Sequence, residues 1–326
     1  MQESVAQPAM PTDRRDRRVY VWWGVSLGLL GLLAAFCVLF LAPYMQVRRI
    51  VSGIKRDIDE QDARAMITRL GGPDETVRKL TFYMRLPGAI APELDRNMAA
   101  GLLGCCGRPA VPALIAALDY YPGPNDWGGL AERCQAIRAL GRIGTDASEA
   151  IPHLLKRGNK ESSAVVQALG DIGVANQEVL DYLMDCIDDR YPDDEELRCR
   201  NIAVAKALGK LGPSAEVAVP ELMKLLQGVQ PLTVRVAAAD AMGSIGPGAA
   251  QAVSGLCAEA CDPGNDPQLR VAVAWALVKI GLPCPNEGDQ ANCLEMLGSA
   301  ANDKNAEVAA AAAEALKKIR SEEPPK

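Results

Sequence analysis

The chain has 326 residues, 49% of them hydrophobic and 23% charged, with a formal net charge of −6. That balance excludes a disordered chain, a collagen-like chain and a polytopic membrane protein. Histidine occurs once and aromatics make up 4%, so centres built from several histidines are excluded by count, and the scattered basic residues argue against a nucleic-acid partner.

Residues 1–18 form a basic N-terminal tail with Arg14, Arg15, Arg17 and Arg18. Val19 to Met45 then reads VYVWWGVSLGLLGLLAAFCVLFLAPYM, without a charged residue. At ~1.5 Å per helical residue such a run crosses a hydrocarbon core of ~30 Å. Trp22, Trp23 and Tyr44 lie near its ends, where amphipathic rings favour the interface. The expectation is a transmembrane helix over 19–45 and a juxtamembrane stalk over 46–60. A cleaved signal peptide competes with this reading, but its apolar core is usually only about 7–15 residues. Arg48, Arg49, Lys55 and Arg56 follow the run, so basic residues flank both ends and the charge rule is nearly silent on sidedness. The short basic tail favours a single-pass protein of the cell membrane with its body outside the cytoplasm.

From residue 61 the chain repeats itself. A six-residue phrase recurs as LLGCCG (102–107), ALGRIG (139–144), ALGDIG (168–173), ALGKLG (207–212), AMGSIG (241–246) and ALVKIG (276–281), and ALKKIR (315–320) closes the series. Successive copies start 29 to 39 residues apart, a period that marks stacked helical units. Each phrase ends an amphipathic helix: Val234, Ala237, Ala238, Ala241, Met242 and Ile245 fall at steps of three and four, with Gly246 placed for a C-terminal cap. Between phrases, AVPALIAAL (110–118), AIPHLL (150–155) and AVPELMKLL (218–226) begin a second helix with proline in its first turn, where its missing N–H is not needed. The fold class is therefore all-α, an α-solenoid of stacked helical hairpins over 61–320, with a C-terminal tail at 321–326. The unit around 61–86 departs from the phrase, as terminal caps do.

These phrases, with an arginine six residues ahead of them in Arg133, Arg235 and Arg270, resemble HEAT repeats, most closely the short bacterial HEAT-like type named after phycobilisome lyases. The resemblance implies a hairpin solenoid and says little of function, because that family includes scaffolds, chromophore lyases and iron hydroxylases. The hydroxylases need several His–Glu pairs, which His153 alone does not supply. A lyase-like role, with Cys105 or Cys106 handling a chromophore, rests on the resemblance alone.

Three turns join the first helix of a pair to the second: DYYPGPNDWGG (119–129), DDRYPDDEE (188–196) and CDPGNDP (261–267). Equivalent turns of a solenoid lie along one edge. Tyr120, Tyr121, Asp126, Trp127, Tyr191, Asp193 and Asp194, with Asp188, Asp262 and Asp266, thus make a candidate acidic, aromatic ridge for a protein partner, a basic one by charge. The alternative is plain solvated turns, since Asp, Pro and Gly are what turns select. None of the three matches a calcium loop.

Two cysteine pairs have spacing suited to disulfides, Cys186 with Cys199 across a hairpin and Cys284 with Cys293 around a Pro-rich turn. The alternative is that cysteines serve as small buried hydrophobes. No CxxC zinc pattern, GxSxG, phosphate-binding loop or dinucleotide fingerprint is present, so no cofactor and no catalytic residue is expected. The functional expectation is a membrane-anchored scaffold that docks proteins through an extended helical surface and its inserted turns. The rival is a lyase-like or chaperone-like protein acting on a cofactor-bearing partner.

Overall fold

The computed structural model describes residues 42–51, 60–84, 93–119, 128–157, 163–188, 190–191, 194–281 and 287–322. All regular structure among them is helical. The α-helices are α1 (Ala42–Val51), α2 (Glu60–Leu70), α3 (Pro73–Met84), α4 (Glu93–Leu103), α5 (Val111–Asp119), α6 (Gly128–Ile143), α7 (Ile151–Arg157) and α8 (Ser163–Ile172). They continue as α9 (Gln177–Asp185), α10 (Glu195–Leu211), α11 (Val219–Gln227), α12 (Leu232–Ile245), α13 (Val253–Cys261), α14 (Pro267–Ile280), α15 (Glu287–Ala300) and α16 (Ala306–Glu322).

The helices fall into two rows. The refrain lies on α4, α6, α8, α10, α12, α14 and α16, and each of these packs on the next in chain order. The helices α5, α7, α9, α11, α13 and α15 each pair with the following refrain helix as a hairpin, and several meet one another through the 3-10 segments Gly212–Ala218 and Gly246–Ala252. One hydrophobic cluster runs without a break from Val47 to Leu316, as expected when each unit buries its apolar stripe only by stacking.

The refrain dictates this locally. Its final glycine leaves the helix in the left-handed region, φ 64° at Gly212 and 69° at Gly246, a conformation that costs other residues about 1 kcal/mol or more. In the last copy Arg320 takes that place, and α16 runs on to Glu322. On α12 and α14 the arginine six ahead of the phrase pins the hairpin. Arg235 Nε donates to the Leu226 carbonyl at 2.7 Å and Arg270 Nε to the Ala260 carbonyl at 2.9 Å. Both carbonyls lie in the last turn of the preceding helix, where no intrahelical donor reaches them. Their guanidinium ends then cross to the next unit, Arg235 Nη2 to Glu259 Oε2 at 2.9 Å and to Asn265 Oδ1 at 3.0 Å, Arg270 Nη2 to Asp303 Oδ2 at 2.7 Å. On α10 the equivalent place belongs to Asn201, whose Nδ2 donates to the Asp188 carbonyl at 2.7 Å while its Oδ1 accepts from the Asp188 N–H at 3.1 Å.

The membrane expectation is corrected. Among the described residues no helix is long and apolar enough to cross a membrane, and the expected placement as a single-pass cell-membrane protein with its body outside the cytoplasm is withdrawn. Most of the expected span, 19–41, lies outside the described residues. Its last residues open α1, a ten-residue helix with Arg48 and Arg49 in its final turn, only about 15 Å long. Of the segment read as a stalk, 52–59 lie outside the described residues, and its first residues belong to α1. Val47 is 1% exposed within the common core, and Gln46 Nε2 donates to the Arg69 carbonyl at 3.1 Å. Helix α1 is therefore part of the N-terminal end of the stack.

Candidate functional site

On the refrain helices α6, α8, α10, α12 and α14 the residue just before the phrase and the fourth residue of the phrase are four apart, so they share one face. They are Arg138 and Arg142 on α6, Gln167 and Asp171 on α8, Lys206 and Lys210 on α10, Asp240 and Ser244 on α12, and Trp275 and Lys279 on α14. All are exposed. The stacking of these helices aligns the pairs into two parallel ladders along one side of the solenoid.

Between α10 and α12 this side opens into a groove of about 820 Å³. Its floor is the half-buried Ile202, Leu232 and Val236 with Ala237 and Ala241, and its walls carry Lys206, Lys210, Asp240, Ser244 and Gln268. On the next refrain helix, α14, Trp275 is 44% exposed, leaving a large apolar ring in water at a place where α6, α8, α10 and α12 carry Arg, Gln, Lys and Asp.

The charge on this side differs from that of the whole chain. Lys210 pairs with Asp171 across α8 and α10, and Arg142 Nη1 donates to the Gly101 carbonyl at 3.4 Å, with Cys105 Sγ at 3.8 Å. Among the described residues Arg138, Lys206 and Lys279 have no carboxylate partner, and Asp240 has no cation. Cations outnumber carboxylates here although the protein is acidic overall.

The turn edge reads differently from its sequence. Asp194 Oδ1 caps α10 by accepting from the N–H groups of Glu196 at 2.9 Å and Leu197 at 3.1 Å. Asp266 Oδ1 caps α14 through Gln268 N–H at 2.8 Å, and Asp262 Oδ1 accepts from Gly264 N–H at 2.9 Å. Asp188 takes both Nε and Nη2 of Arg190, at 2.9 and 2.6 Å. These bonds, with the lesser pull of Arg200, hold its carboxyl down at about 2. Asp194, Asp262 and Asp266 thus have a local role in caps and turns, as the solvated-turn alternative expects, and nothing on this edge adds support for a basic partner. Tyr191 is 62% exposed with the Arg190 guanidinium 5.8 Å from its ring centroid. Tyr120, Tyr121, Asp126, Trp127 and Asp193 lie outside the described residues, so of the ridge the structure places Tyr191 and Asp194 together with Asp188, Asp262 and Asp266.

The Cys186–Cys199 disulfide is corrected. Neither sulfur is in a disulfide. Cys186 is buried at the end of α9 beside the Tyr182 hydroxyl, which burial, above all, and this neighbour push upward in pKa. Cys199 lies on the exposed side of α10 with Sγ donating to Glu195 Oε1 at 3.7 Å. Cys284 and the side chain of Cys293 lie outside the described residues. Cys106 is buried, and desolvation together with its neighbour Cys105 pushes its thiol up to about 12, so it stays protonated and unreactive at neutral pH.

The groove was not found from sequence, although a signal was present. A tryptophan at a position that is polar in the neighbouring copies is the kind of break in periodicity that marks a surface rather than a core.

Comparison with known proteins agrees with the repeat reading. The family pattern described as PBS lyase HEAT-like repeat matches residues 132–157 and 202–228, each stretch running from a refrain helix through its glycine into the next helix. This match and the stacked hairpins support a HEAT-repeat protein. Among curated proteins none matches the chain. Solved structures that resemble it include an engineered protein from the Northeast Structural Genomics Consortium, 18% identical, covering 84% of this chain and 77% of its own with a TM-score of 0.44. Another is a designed armadillo repeat protein in complex with the peptide (KR)4, 18% identical, covering 85% of this chain and 98% of its own with a TM-score of 0.35.

Proposed function

We propose that this protein is a non-catalytic docking scaffold that holds a protein partner along the open face of its refrain helices. The observation that carries the reading is the preformed groove between α10 and α12. Its apolar floor is flanked by charged side chains, Trp275 is exposed on the next helix, and the floor residues sit on helices already fixed by the stack. Binding there orders few additional groups, which is where rigid repeat surfaces gain affinity. Tyr191 on the turn edge is a second point of contact in this reading. No thiol of the described residues is set in the groove, which disfavours the lyase-like rival.

The test is site-specific photo-crosslinking in cells of the source organism, with a benzophenone side chain at Ser244 in the groove or at Val217, which is exposed at 47% on the 3-10 segment Gly212–Ala218. The expected result is discrete adducts from Ser244, absent from Val217 and abolished by Val236→Glu. Equal adducts from both positions, or none from Ser244, overturn the proposal.

A further inference from the structure

The scaffold reading leaves the chemistry of the partner open, and the charge pattern of the groove bears on it. Within an acidic protein, α10 presents Lys206 and Lys210, α14 presents Lys279 beside Trp275, and α12 between them presents Asp240 and Ser244. Lys206 and Lys279 lack a carboxylate partner among the described residues, unlike Arg235 of α12 and Arg270 of α14, which are each bound to an acid. An exposed cation without a partner is held ready for a ligand at little cost, since no internal pair has to break.

Resting on the scaffold reading, we infer that the occupant of this face is an extended acidic segment of a partner protein that crosses α10, α12 and α14. Packed helices lie ~10 Å apart and an extended chain advances ~3.3 Å per residue, so one rung is about three residues. A segment of about seven residues therefore spans the three helices. Its first carboxylate meets Lys206, and its last meets Lys279. At the middle rung Asp240 repels an acid and accepts hydrogen bonds instead, from a backbone N–H or a side-chain donor. An apolar residue next to the last acid covers the Trp275 ring. Ile202, Leu232 and Val236 take the side chains that alternate inward.

A nucleic-acid strand suits the face less well. Every phosphate is charged, and Asp240 and Asp171 interrupt the positive ladder at two of its rungs, where each would face a phosphate. A single exposed indole also gives bases little to stack on.

The test uses the full chain and three fluorescein-labelled probes: a pool of short peptides rich in Glu, Asp and Leu, the same pool with Lys at every acidic position, and an oligothymidylate. Anisotropy is expected to show binding of the acidic pool, weakened by salt. The double variant Lys206→Glu, Lys279→Glu should weaken that binding by about tenfold or more, with an unchanged circular dichroism melt. Asp240→Asn should keep or strengthen it, and Trp275→Ala should weaken it. Equal binding of the acidic and lysine pools, indifference to the charge reversals, or tighter binding of oligothymidylate overturns the inference. If Ser244 crosslinks a partner while the acidic pool does not bind, the partner's chemistry is wrong and the scaffold stands. If Ser244 captures nothing, the scaffold reading itself has failed.

Discussion

Gly170 of α8 presses its bare backbone against Ala207 of α10: a Cβ built on Gly170 would lie 2.7 Å from the Ala207 Cα and 2.8 Å from its Cβ. The same meeting recurs between Gly141 and Ala168 at 3.0 Å, Gly209 and Ala241 at 3.1 Å, and Gly243 and Ala276 at 2.9 Å. The third residue of one refrain thus touches the first residue of the next, and small residues at both places set how closely the helices pack. In an isolated helix, Gly→Ala is favourable by roughly 1 kcal/mol. At Gly170 the new methyl overpacks a contact between backbones that cannot rotate away, at a cost of about 1–3 kcal/mol. Gly170→Ala is therefore expected to lower stability in urea unfolding. Gly101→Ala, where a Cβ meets nothing within 4 Å, should raise it by ~0.5–1 kcal/mol. Stabilisation by both would show that the contact at Gly170 is loose.

Arg270 is 5% exposed and ties three elements together, α14 that carries it, the end of α13 through the Ala260 carbonyl, and the turn before α16 through Asp303. Replacing it with methionine keeps most of the packing volume and strands the carbonyl without a donor. The expected loss is on the order of 2–3 kcal/mol, read by chemical denaturation. Hydrogen exchange should rise first in α15 and α16, because Arg270 ties α14 to the turn that leads from α15 into α16. Uniform loosening across the stack would mean that Arg270 acts only within its own hairpin.

Much of this architecture was legible because it is written in short-range rules. A glycine six into the phrase caps a helix, and a small residue three into it admits the neighbour. Val278 marks the limit of that reading. ALVKIG counts as a full copy by sequence, yet Val278 stands where most copies have glycine, and there Lys318 of α16 reaches over to donate to the Val278 carbonyl at 2.6 Å. The disulfide reading failed for a related reason. Cys199 precedes Arg200 and Asn201, which are buried at 8% and 1% exposure, and one residue turns a helix by about 100°. Hairpin spacing brought the two helices together without making position 199 face Cys186. The acids of the turns were equally ambiguous, since an aspartate that caps a helix and one that awaits a partner look the same in sequence. The groove depends on residues more than thirty positions apart lining up in space, which only the stacking reveals.

Acid should weaken the fold through named carboxylates. Asp188 is held at about 2, chiefly by hydrogen bonds from Arg190, against an ordinary value of about 3.9. Asp303 is lowered too, first by the Asn305 N–H and then by Arg270. A depressed carboxyl contributes stability that is fully present above its unfolded value and is lost as pH falls towards its folded one. Between about pH 4 and pH 2 the unfolded chain binds more protons at these sites, so stability falls as pH falls. Unfolding measured across that window should be steeper for the native chain than for an Asp188→Asn, Asp303→Asn variant. Parallel slopes would remove these two groups as the origin.

Thiol labelling separates the cysteines by environment. Without reductant, iodoacetamide at neutral pH should modify Cys199 in the folded protein, because it is exposed. Cys106, buried and raised to about 12, should resist until the chain is unfolded, as should the buried Cys186 and Cys257. Burial withholds both the thiolate and access to it, so the two groups are expected to differ by orders of magnitude in rate. Peptide mass spectrometry after labelling in denaturant, still without reductant, should then find Cys186 and Cys199 both alkylated. Recovery of the two as a linked, unlabelled pair would restore the disulfide. That bond would require α10 to turn about its axis, since Cys199 faces out and Cys186 faces in. Such a turn would carry Asn201 away from Asp188 and break the two hydrogen bonds that now join them.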